Sequence, residues 1–313
     1  MRNLAIILSS GDDIHATAVA HEIKSLGGRC KIIDLSIYPE RLRISQEIDT
    51  GQLHSRIRLD TSQIDQDDIC GVWYRRPGRL SAGLSNPQAG VAEWADRQVW
   101  HGIHGWLETV QNVINPPDIN RTANIKAVQL AAAAKVGLSI PRTLISNDET
   151  EVRRFWEAEG GSVIFKGLAS HPEVFWETRL LTEETLRDLH ALDAGPSIFQ
   201  QCIAGKADYR ITVIDDDVFS TRVIPTGPAP KLDWRMDNGA GYEICETPLD
   251  LHTKLLQLHK LLGLRYGAYD FKEDNEGQIF FLEVNPGGQF LFNDVHAGTQ
   301  ISAAVAKALL GLA

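Results

Sequence analysis

The stretch that most constrains this chain is FLEVNPGGQF at residues 281–290, where an apolar segment ends on polar side chains. Glu283 and Asn285 stand two positions apart, so they lie on the same face of a strand. A Pro-Gly-Gly turn follows them. An isolated buried carboxylate is costly unless something cationic meets it. The stretch therefore predicts a strand that carries a carboxylate to a cationic partner.

The preceding segment, YGAYDFKED, predicts the partner strand of a β-hairpin that turns at Asn-Glu-Gly. If the turn holds two residues, Glu276 and Gly277, then Asp270 lies directly opposite Glu283. Asn285 lies on the same face, two residues further along its strand. The sequence thus predicts three oxygen-bearing side chains close together on two neighbouring strands.

Two carboxylates this close repel one another strongly in a low-dielectric setting, and a hard divalent cation resolves the conflict. Mg²⁺ is held by a few carboxylate or amide oxygens and fills its other positions with water and substrate phosphates. The alternative is that Asp270 and Glu283 are solvated ends of an exposed hairpin, but the flanking residues are too apolar for that. We therefore predict that Asp270, Glu283 and Asn285 bind Mg²⁺ together with phosphate groups.

Gly287 and Gly288 leave two explanations open. They make the turn after the strand, because glycine adopts backbone conformations that other residues avoid. Alternatively, their missing side chains allow backbone or substrate to approach the metal.

The rest of the chain predicts an α/β and α+β fold in three parts. Strand, helix and strand signals at LAIILS, HATAVAHEIKSLGG and CKIIDL predict a βαβ opening and a parallel sheet. The Asn-Pro-Pro at 115–117 marks a boundary. We place an amino-terminal α/β domain at 1–119, a small α+β subdomain at 120–203, and a carboxy-terminal subdomain with the metal site at 204–313.

Phosphate binding needs positive partners, and several basic residues are candidates. Lys166 leaves the apolar SVIF segment next to a glycine, and Lys126 opens an alanine-rich helix, although a lone lysine is more often a solvated surface residue. Arg210 and Arg222 lie on the two arms of a predicted hairpin whose turn is acidic. Counting across an even-length turn centred on 215–217, to within about one residue, allows the two side chains to share a face. Arg235 adds a third guanidinium, and arginines beside a metal bind phosphate bidentately.

Composition narrows the function classes. The 313 residues are 43% hydrophobic and 23% charged, with a net charge of −10, which disfavours nucleic-acid binding because that needs a basic footprint. The four cysteines form no CxxC or Cys/His pattern, so zinc and redox motifs have no support. The first residues predict a strand rather than a signal peptide, and no segment approaches the length of a membrane span. We expect a soluble cytoplasmic protein.

Together, these residues resemble the ATP-grasp carboxylate–amine ligases. The motifs are NIKAVQLAAAAKVGLSIPRTLIS, VIFKGL, FQQCI, KADYRITVI, LDWR, YGAYDF and FLEVNPGGQF. In the amino-terminal part, SGDDIHATAVAHEIKSLG, IIDLSIYP and VWYRRP look like one branch of that family, the microviridin-type (graspetide) peptide ligases. Enzymes of this branch cross-link a ribosomally made precursor peptide through side-chain esters and amides.

The resemblance implies the ATP-grasp fold, in which two α+β subdomains clamp the nucleotide, and it implies ATP and Mg²⁺ as cofactors. Lys126 and Lys166 would reach the phosphates. The strand QQCI would form the hinge, and the implied contacts to adenine and ribose are Gln201, the backbone of Cys202 and Ile203, and Asp208. The residues that would steady the γ-phosphate and the acyl-phosphate, or hold the acceptor's carboxylate, are Arg210, Arg222 and Arg235.

The implied reaction is attack of a substrate carboxylate on the γ-phosphate of ATP, followed by displacement of phosphate by an amine or a hydroxyl. No side chain has the context of a nucleophile elbow or a triad. His296, close after the metal strand, is the histidine best placed to help deprotonate an amine. The implied partner is a precursor peptide, whose leader we expect around 170–195, and the resemblance also allows a homodimer.

Two departures from the branch leave the acceptor open. The stretch FLFNDVHAGTQIS replaces an aromatic-rich segment with Trp and Glu, and Gln201 stands where an acidic hinge residue is common. The substrate is then a modified peptide, favoured by the amino-terminal similarity, or a free amino acid or other small carboxylate. A small-molecule kinase would use the same metal cluster. A non-catalytic nucleotide-binding module is disfavoured because all three metal ligands are present, and a dinucleotide fold because no GxGxxG follows the first strand.

Overall fold

The computed structural model describes residues 3–169, 177–227, 232–237 and 239–312. Within these ranges the chain forms four β-sheets. In the same ranges, no helix is both long enough and apolar enough to cross a bilayer.

The amino-terminal elements contain the predicted parallel sheet. They are β1 (Leu4–Ser9), α1 (Ile14–Ser25), β2 (Arg29–Ile33), β3 (Leu42–Asp49), β4 (Gln52–Leu59), β5 (Ser62–Asp65), β6 (Ile69–Arg76), α2 (Ala89–Thr109) and β7 (Val113–Ile114). The parallel sheet has the order β2-β1-β6-β7. Strand β1 is buried along its whole length because helices cover both faces of the sheet.

A second, antiparallel sheet of order β3-β4-β5 was not predicted. Its strands carry many charged and polar residues, and most of their side chains are exposed. A short apolar pattern of this kind gives only a weak strand signal.

The middle elements form a four-stranded antiparallel sheet with helices beside it. They are α3 (Pro117–Ala123), α4 (Lys126–Lys135), β8 (Thr143–Ser146), α5 (Glu149–Ala158), β9 (Val163–Lys166), β10 (Arg179–Leu180), α6 (Glu183–Arg187) and β11 (Ser197–Gln201). The strand order is β10-β9-β11-β8. This arrangement agrees with the small α+β unit expected for this part of the chain.

The carboxy-terminal elements build a five-stranded antiparallel sheet of order β14-β13-β12-β15-β16. They are β12 (Gly205–Ile214), β13 (Asp217–Ile224), β14 (Gly241–Ile244), α7 (Leu249–Leu261), β15 (Tyr266–Asp274), β16 (Ile279–Asn285), α8 (Leu291–Ala297) and α9 (Ile301–Leu310). One face of the sheet packs on α4 and α7. At its other end, the opposite face packs on the amino-terminal sheet through Tyr266 and Trp73.

The last helix, α9, returns to the amino-terminal sheet. Its residues Ile301, Val305 and Leu309 share a core with Ile7 of β1 and Val19 of α1. The amino-terminal and carboxy-terminal parts therefore share a large apolar contact. The domain boundaries at 119/120 and 203/204 stay predictions.

The β15–β16 hairpin places Asp270 directly opposite Glu283, and this prediction is confirmed. The predicted two-residue turn is wrong. Three residues, 275–277, connect the strands, since the N–H of Asp274 donates to the carbonyl of Gln278 at 2.9 Å. Gly277 completes this turn at φ +90°, a conformation that favours glycine.

A β-bulge corrects the offset that the longer turn introduces. Asp270 pairs with Glu283, whereas the next residue, Phe271, pairs with Phe281, so Leu282 is an extra residue in β16. Because of this extra residue, Phe281 packs in the core while Glu283 lies on the opposite face with Asp270.

The β12–β13 hairpin has no such correction. Its turn is only two residues long and begins at Asp215, which has φ +50°. Consequently Arg210 pairs with Thr221, and Arg222 pairs with Tyr209. Neighbouring residues of a strand point to opposite faces. The prediction that Arg210 and Arg222 share a face is therefore wrong.

Candidate active site

The face of the five-stranded sheet that carries Asp270 and Glu283 is the floor of the candidate site, and we call it the cleft face. Nη1 of Arg210 donates to both carboxylate oxygens of Asp270 at 2.9 Å. Nζ of Lys126, at the start of α4, lies 2.8 Å from Oε2 of Glu283. The amide of Asn285 donates to Glu283 at 3.2 Å and to Asp270 at 3.4 Å. The predicted trio therefore lies together, with a cation on each carboxylate.

The two carboxylates have different electrostatic surroundings. Burial acts to raise the pKa of Glu283, but Lys126 and Lys166 overcome it and hold that pKa well below its ordinary value. Burial raises the pKa of Asp270, and the charge of Arg210 opposes this only in part. Burial also lowers the pKa of Lys166, which ends β9 in the neighbouring sheet. Glu283 is therefore an anion that lysines from outside its own sheet stabilise.

The donors on the cleft face fit Mg²⁺. Two carboxylates and an amide are oxygen ligands of the kind that this ion accepts. The amide of Asn285 presents its nitrogen to the carboxylates, and rotation of that amide presents its oxygen instead. Within the described ranges no three His, Cys, Asp or Glu side chains are arranged to hold a metal ion. The predicted site thus depends on the amide as its third donor.

Arg235 lies beside this cluster. Its Nε and Nη2 donate to the carboxylate of Asp233 at 2.8 and 2.6 Å. That bond raises the pKa of Arg235, and the charges of Glu283 and Asp270 act in the same direction. The site therefore gathers four basic side chains around two carboxylates in a chain of net charge −10. This is the local positive cluster that phosphate binding requires.

Arg222 is outside the site. It lies on the opposite face of the sheet, which we call the outer face, because it pairs with Tyr209. Its Nη1 is 3.6 Å from Oε1 of Glu243, and its side chain is 40% exposed. The predicted catalytic role of Arg222 relied in part on a shared face with Arg210, and the register removes that part of its basis.

The predicted hinge lies at the end of β11. The N–H of Gln201 donates to the carbonyl of Arg142 at 2.9 Å, and the N–H of Cys202 donates to that of Ser162 at 2.9 Å. The side-chain carbonyl of Gln201 accepts a 3.4 Å bond from the N–H of Arg142. Among the described residues, no backbone partner binds the N–H of Ile203. Within the described part of the chain, the N–H of Ile203 and the carbonyl of Cys202 take part in none of these loop and turn bonds, so both are candidates for binding a ligand.

Two residues that sequence reasoning missed support the site. Lys272 is buried, and its Nζ lies 2.7 Å from Oδ1 of Asp208. Lys272 lies two residues after Asp270 on the same strand, so the sequence alone could have placed it on the cleft face. Gln129 of α4 bonds both the N–H and the carbonyl of Val284 at 3.0 and 2.8 Å, and so ties the helix of Lys126 to β16. No sequence signal indicates that contact.

The two glycines of the PGGQ loop (residues 286–289) allow the loop backbone to pass close to neighbouring residues. Neither belongs to the glycines with positive φ. A Cβ on Gly288 would lie 2.4 Å from Cβ of Ala268 and 2.9 Å from Nη2 of Arg210. The N–H of Gly288 also donates to the carbonyl of Asn285 at 3.0 Å, so the loop makes the expected turn and lets its backbone approach Arg210. Approach of the loop to a metal stays a prediction.

A cavity of about 530 Å³ adjoins the PGGQ loop between the amino-terminal and carboxy-terminal parts. Gln289 lines it, and the carbonyl of Gln289 accepts a 2.9 Å bond from Nη2 of Arg210. His296 lines it as well and stacks on Tyr242 at 5.9 Å. The cavity is therefore connected to the charged cluster through Arg210.

Comparison of the sequence and the fold with those of known proteins shows which proteins this chain resembles. Residues 3–115 match the MvdD pre-ATP grasp domain. No curated protein matches the chain. Solved structures, in contrast, match over nearly the whole chain.

Three of these structures are peptide-bound ligases. The macrocyclase MdnC bound with precursor peptide MdnA, from Microcystis aeruginosa MRC, is 25% identical, with a TM-score of 0.85 over 99% of this chain and 100% of that one. A RiPP-associated ATP-grasp ligase of Chryseobacterium gregarium, in complex with ADP and a leader and core peptide, is 26% identical, with a TM-score of 0.86 over 100% and 98%. The ATP-grasp ligase PsnB, complexed with a phosphomimetic minimal precursor, Mg and ADP, is 26% identical, with a TM-score of 0.80 over 99% and 98%.

The fold and the amino-terminal domain agree with the resemblance drawn from the sequence. The chain has the fold of the ATP-grasp ligases and is similar over nearly its whole length to ligases of the microviridin (graspetide) type.

Proposed function

We propose that this protein is an ATP-dependent ligase that forms side-chain amide or ester cross-links in a ribosomally made precursor peptide, releasing ADP and phosphate. The observation that carries the proposal is the pairing of Asp270 with Glu283 on the cleft face, with Lys126 from another element on Glu283. The similar ligases, with their bound precursor peptides and ADP, support the substrate class.

Mg²⁺ held by Asp270, Glu283 and Asn285 would neutralise phosphate charge during transfer of the γ-phosphoryl group. Lys126 and Lys166, whose positive charges both lower the pKa of Glu283, would bind the phosphates of ATP instead. Lys126 contacts Glu283 at 2.8 Å, and Lys166 lies close enough for its charge to lower the pKa of Glu283, which supports this role for both. In this role the two lysines exchange a carboxylate for phosphate oxygens, which are equally suitable acceptors.

Arg210 and Arg235 would stabilise the charge that develops as the substrate carboxylate takes up the phosphoryl group. Arg210 is fixed in place by Asp270 and by the carbonyl of Gln289. Preorganised donors of this kind lower the barrier because they need no reorganisation during the reaction. Arg222 is left out of the proposal, since it lies on the outer face.

The adenine would bind at the hinge, with the carbonyl of Cys202 and the N–H of Ile203 as its hydrogen-bond partners and Gln201 beside it. Asp208 would bind the ribose, and its ion pair with Lys272 holds it in place. Burial raises the pKa of Asp208, with Lys272 opposing, so the pair also sets the charge at this end of the cleft.

The reacting segment of the peptide would enter the 530 Å³ cavity, where His296 is available to take a proton from an incoming amine. We keep the leader-binding surface at 170–195, of which 170–176 lie outside the described residues. The proposed domains remain 1–119, 120–203 and 204–313, and a homodimer stays a prediction. All four cysteines are free, which supports a cytoplasmic location.

The deciding experiment incubates the purified protein with Mg-ATP and the peptide encoded beside its gene. Loss of one water mass per new bond, with ADP released in equal amount, is the expected result. Hydroxylamine added to the reaction should trap the activated carboxylate as a hydroxamate. A mild alkaline treatment then separates esters, which hydrolyse, from amides, which do not.

Other outcomes identify the alternatives. ATP turnover with free amino acids but never with a peptide would point to a small-substrate ligase. ADP formation with a hydroxyl substrate alone, and a mass gain of phosphate, would point to a kinase. Absence of ATP turnover with all of these substrates would contradict the proposal.

A further inference from the structure

Arg75, at the end of β6, reaches from the amino-terminal domain to the PGGQ loop. It is only 2% exposed. Its Nη1 donates to the carbonyl of Gly287 and, at 2.8 Å, to the carbonyl of Gly288. Only Pro286 separates these two glycines from Asn285, the last residue of β16, so Arg75 touches the backbone close to the predicted metal ligand.

The amino-terminal domain holds both Arg75 and the next residues of the loop. Nε of Arg75 lies 3.4 Å from Oδ2 of Asp13, the residue that caps α1. Nδ1 of His15 accepts from the N–H groups of Phe290 and Leu291 at 3.3 and 3.2 Å. Arg75 therefore holds two carbonyls of the loop, and His15 holds the N–H groups of the two residues that follow it.

These contacts orient the loop relative to the cleft face. Nη1 of Arg75 and the hydroxyl of Tyr266 both donate to the carbonyl of Gly288, and the bond from the Tyr266 hydroxyl is 2.9 Å long. The next carbonyl, of Gln289, bonds to Arg210. Gly288 itself leaves no room for a Cβ beside Arg210. Fixing the carbonyls of Gly287 and Gly288 therefore also fixes Asn285 on one side and Arg210 on the other.

The hydrogen bonding of Arg75 is poor for a residue that only stabilises the fold. Within the described residues, Nη2 and Nε of this buried guanidinium have no hydrogen-bond partner. Burying an incompletely paired charge stabilises a protein less than a well-packed apolar side chain does. What an apolar side chain cannot do is hold two carbonyls in a defined orientation.

We propose that Arg75 is a positioning residue by which the amino-terminal domain holds the PGGQ loop, so that Asn285 and Arg210 are in register for the Mg-nucleotide complex. The inference rests on the proposed function, because it assigns Arg75 to the same site. It gives the amino-terminal domain a part in nucleotide binding although the domain supplies none of the predicted ligands.

The test compares Arg75→Met with Asn112→Ala. Asn112 also joins the two parts of the molecule, since its amide donates to Cys70, Ala308 and Leu309 at 2.9, 3.1 and 3.1 Å, but it does not touch the loop. Calorimetry with ADP, with and without Mg²⁺, measures binding independently of turnover. Melting temperatures show how far each change loosens the fold.

We expect Arg75→Met to weaken ADP binding in the presence of Mg²⁺ about tenfold and to leave Mg-free ADP binding unchanged, because adenine binds at the hinge. The kcat should fall about 100-fold. Asn112→Ala should leave both values within about twofold at a comparable loss of melting temperature. Equal effects of the two variants, or wild-type Mg-ADP binding by Arg75→Met, would overturn the proposal.

Arg75→Lys provides the test if Arg75→Met does not fold. A lysine keeps the charge but is a point donor rather than a rigid fork. We expect kcat to fall about tenfold with the KM for ATP within about twofold of wild type. Unchanged kcat in this variant would also overturn the proposal. Failure of the wild-type protein to bind Mg-ADP would instead count against the proposed function.

Discussion

The two faces of the five-stranded sheet carry similar charged residues in different surroundings. On the cleft face, Lys272–Asp208 and Arg210–Asp270 are buried pairs at 2.7 and 2.9 Å. On the outer face, Glu273 pairs with Lys206 at 2.8 Å, and Lys206 is about half exposed. The cleft-face pairs are thus buried in both partners, whereas the outer-face pair joins a mostly covered carboxylate, 13% exposed, to a lysine that reaches solvent.

The difference shows which pairs have functional meaning. An ion pair with an exposed partner contributes about 0–1 kcal/mol to stability, so forming or losing an outer-face pair changes the free energy of unfolding little. A buried pair must offset a large desolvation cost, and breaking one partner is strongly destabilising. Charges are therefore gathered on the cleft face at a cost in stability, as expected for a site that binds a charged ligand.

The largest expected effect separates two glutamates of the same hairpin. Glu283→Gln should lower ATP turnover about 1000-fold, because it removes the anion that faces the lysines and the metal. Glu273→Gln, on the outer face, should leave turnover within about twofold. Both are measured by ADP release at saturating ATP and peptide. Comparable losses in the two variants would contradict the distinction between the faces.

The next test separates two arginines of the β12–β13 hairpin. Arg210→Met should lower kcat about 100-fold, and it should also destabilise the fold by about 3–5 kcal/mol, because Asp270 stays buried without its partner. Arg222→Met should change the free energy of unfolding by less than about 1 kcal/mol and leave kcat within about twofold. Steady-state kinetics and urea unfolding provide both numbers. A large kcat loss in Arg222→Met would restore the catalytic role that the register argues against.

Register explains why the sequence predicted one hairpin of this sheet correctly and the other incorrectly. In β15–β16 the turn is one residue longer than predicted, and in β12–β13 the pairing is one residue away from the one that would put Arg210 opposite Arg222. A slip of one residue moves every side chain to the other face. In β15–β16 the extra residue Leu282 reverses the slip, so Asp270 and Glu283 still face one another. In β12–β13 nothing reverses it, and Arg222 lies on the outer face. The bulge has no sequence signal comparable to that of a Gly turn.

Long-range contacts were the other part that the sequence left open. Residue types and spacing predicted the parallel sheet, the carboxylate pair and the lysines near it. They did not predict the contact of Arg75 with Gly287, which joins residues 212 positions apart. Nor did they predict the β3-β4-β5 sheet, whose polar strands give only a weak apolar alternation. Local patterns predict elements, whereas contacts between distant elements depend on how these pack.

A smaller effect concerns stability at the hinge end of the cleft face. Lys272→Met leaves Asp208 buried without a partner and should lower the free energy of unfolding by about 3 kcal/mol. The double change Asp208→Asn with Lys272→Met should restore most of that loss, because no unpaired charge remains. On the outer face, Lys206→Met should cost less than about 1 kcal/mol. Urea unfolding of all four proteins checks this, and a double variant no more stable than Lys272→Met would contradict it.

The smallest effect concerns β15, whose residues alternate between the two faces. On the side of β15 opposite Asp270, the hydroxyl of Tyr269 lies 2.7 Å from Nδ1 of His259, which is buried in α7. Burial lowers the pKa of His259 from its ordinary 6.5 to about 4. Between these values the unfolded chain binds a proton that the folded chain does not, so acid favours unfolding.

His259 should therefore contribute stability that is fully present above about pH 6.5 and is lost as the pH falls towards about 4. From about pH 7.5 to about pH 5 the loss is about 2 kcal/mol. Burial raises the pKa values of Asp208 and Asp270, which gives a pH dependence of opposite sign on the cleft face. The comparison must thus be between wild type and His259→Asn, which keeps an amide for the Tyr269 hydroxyl. The variant should lose less stability than wild type on acidification, and an identical loss in both proteins would show that His259 is not the titrating group.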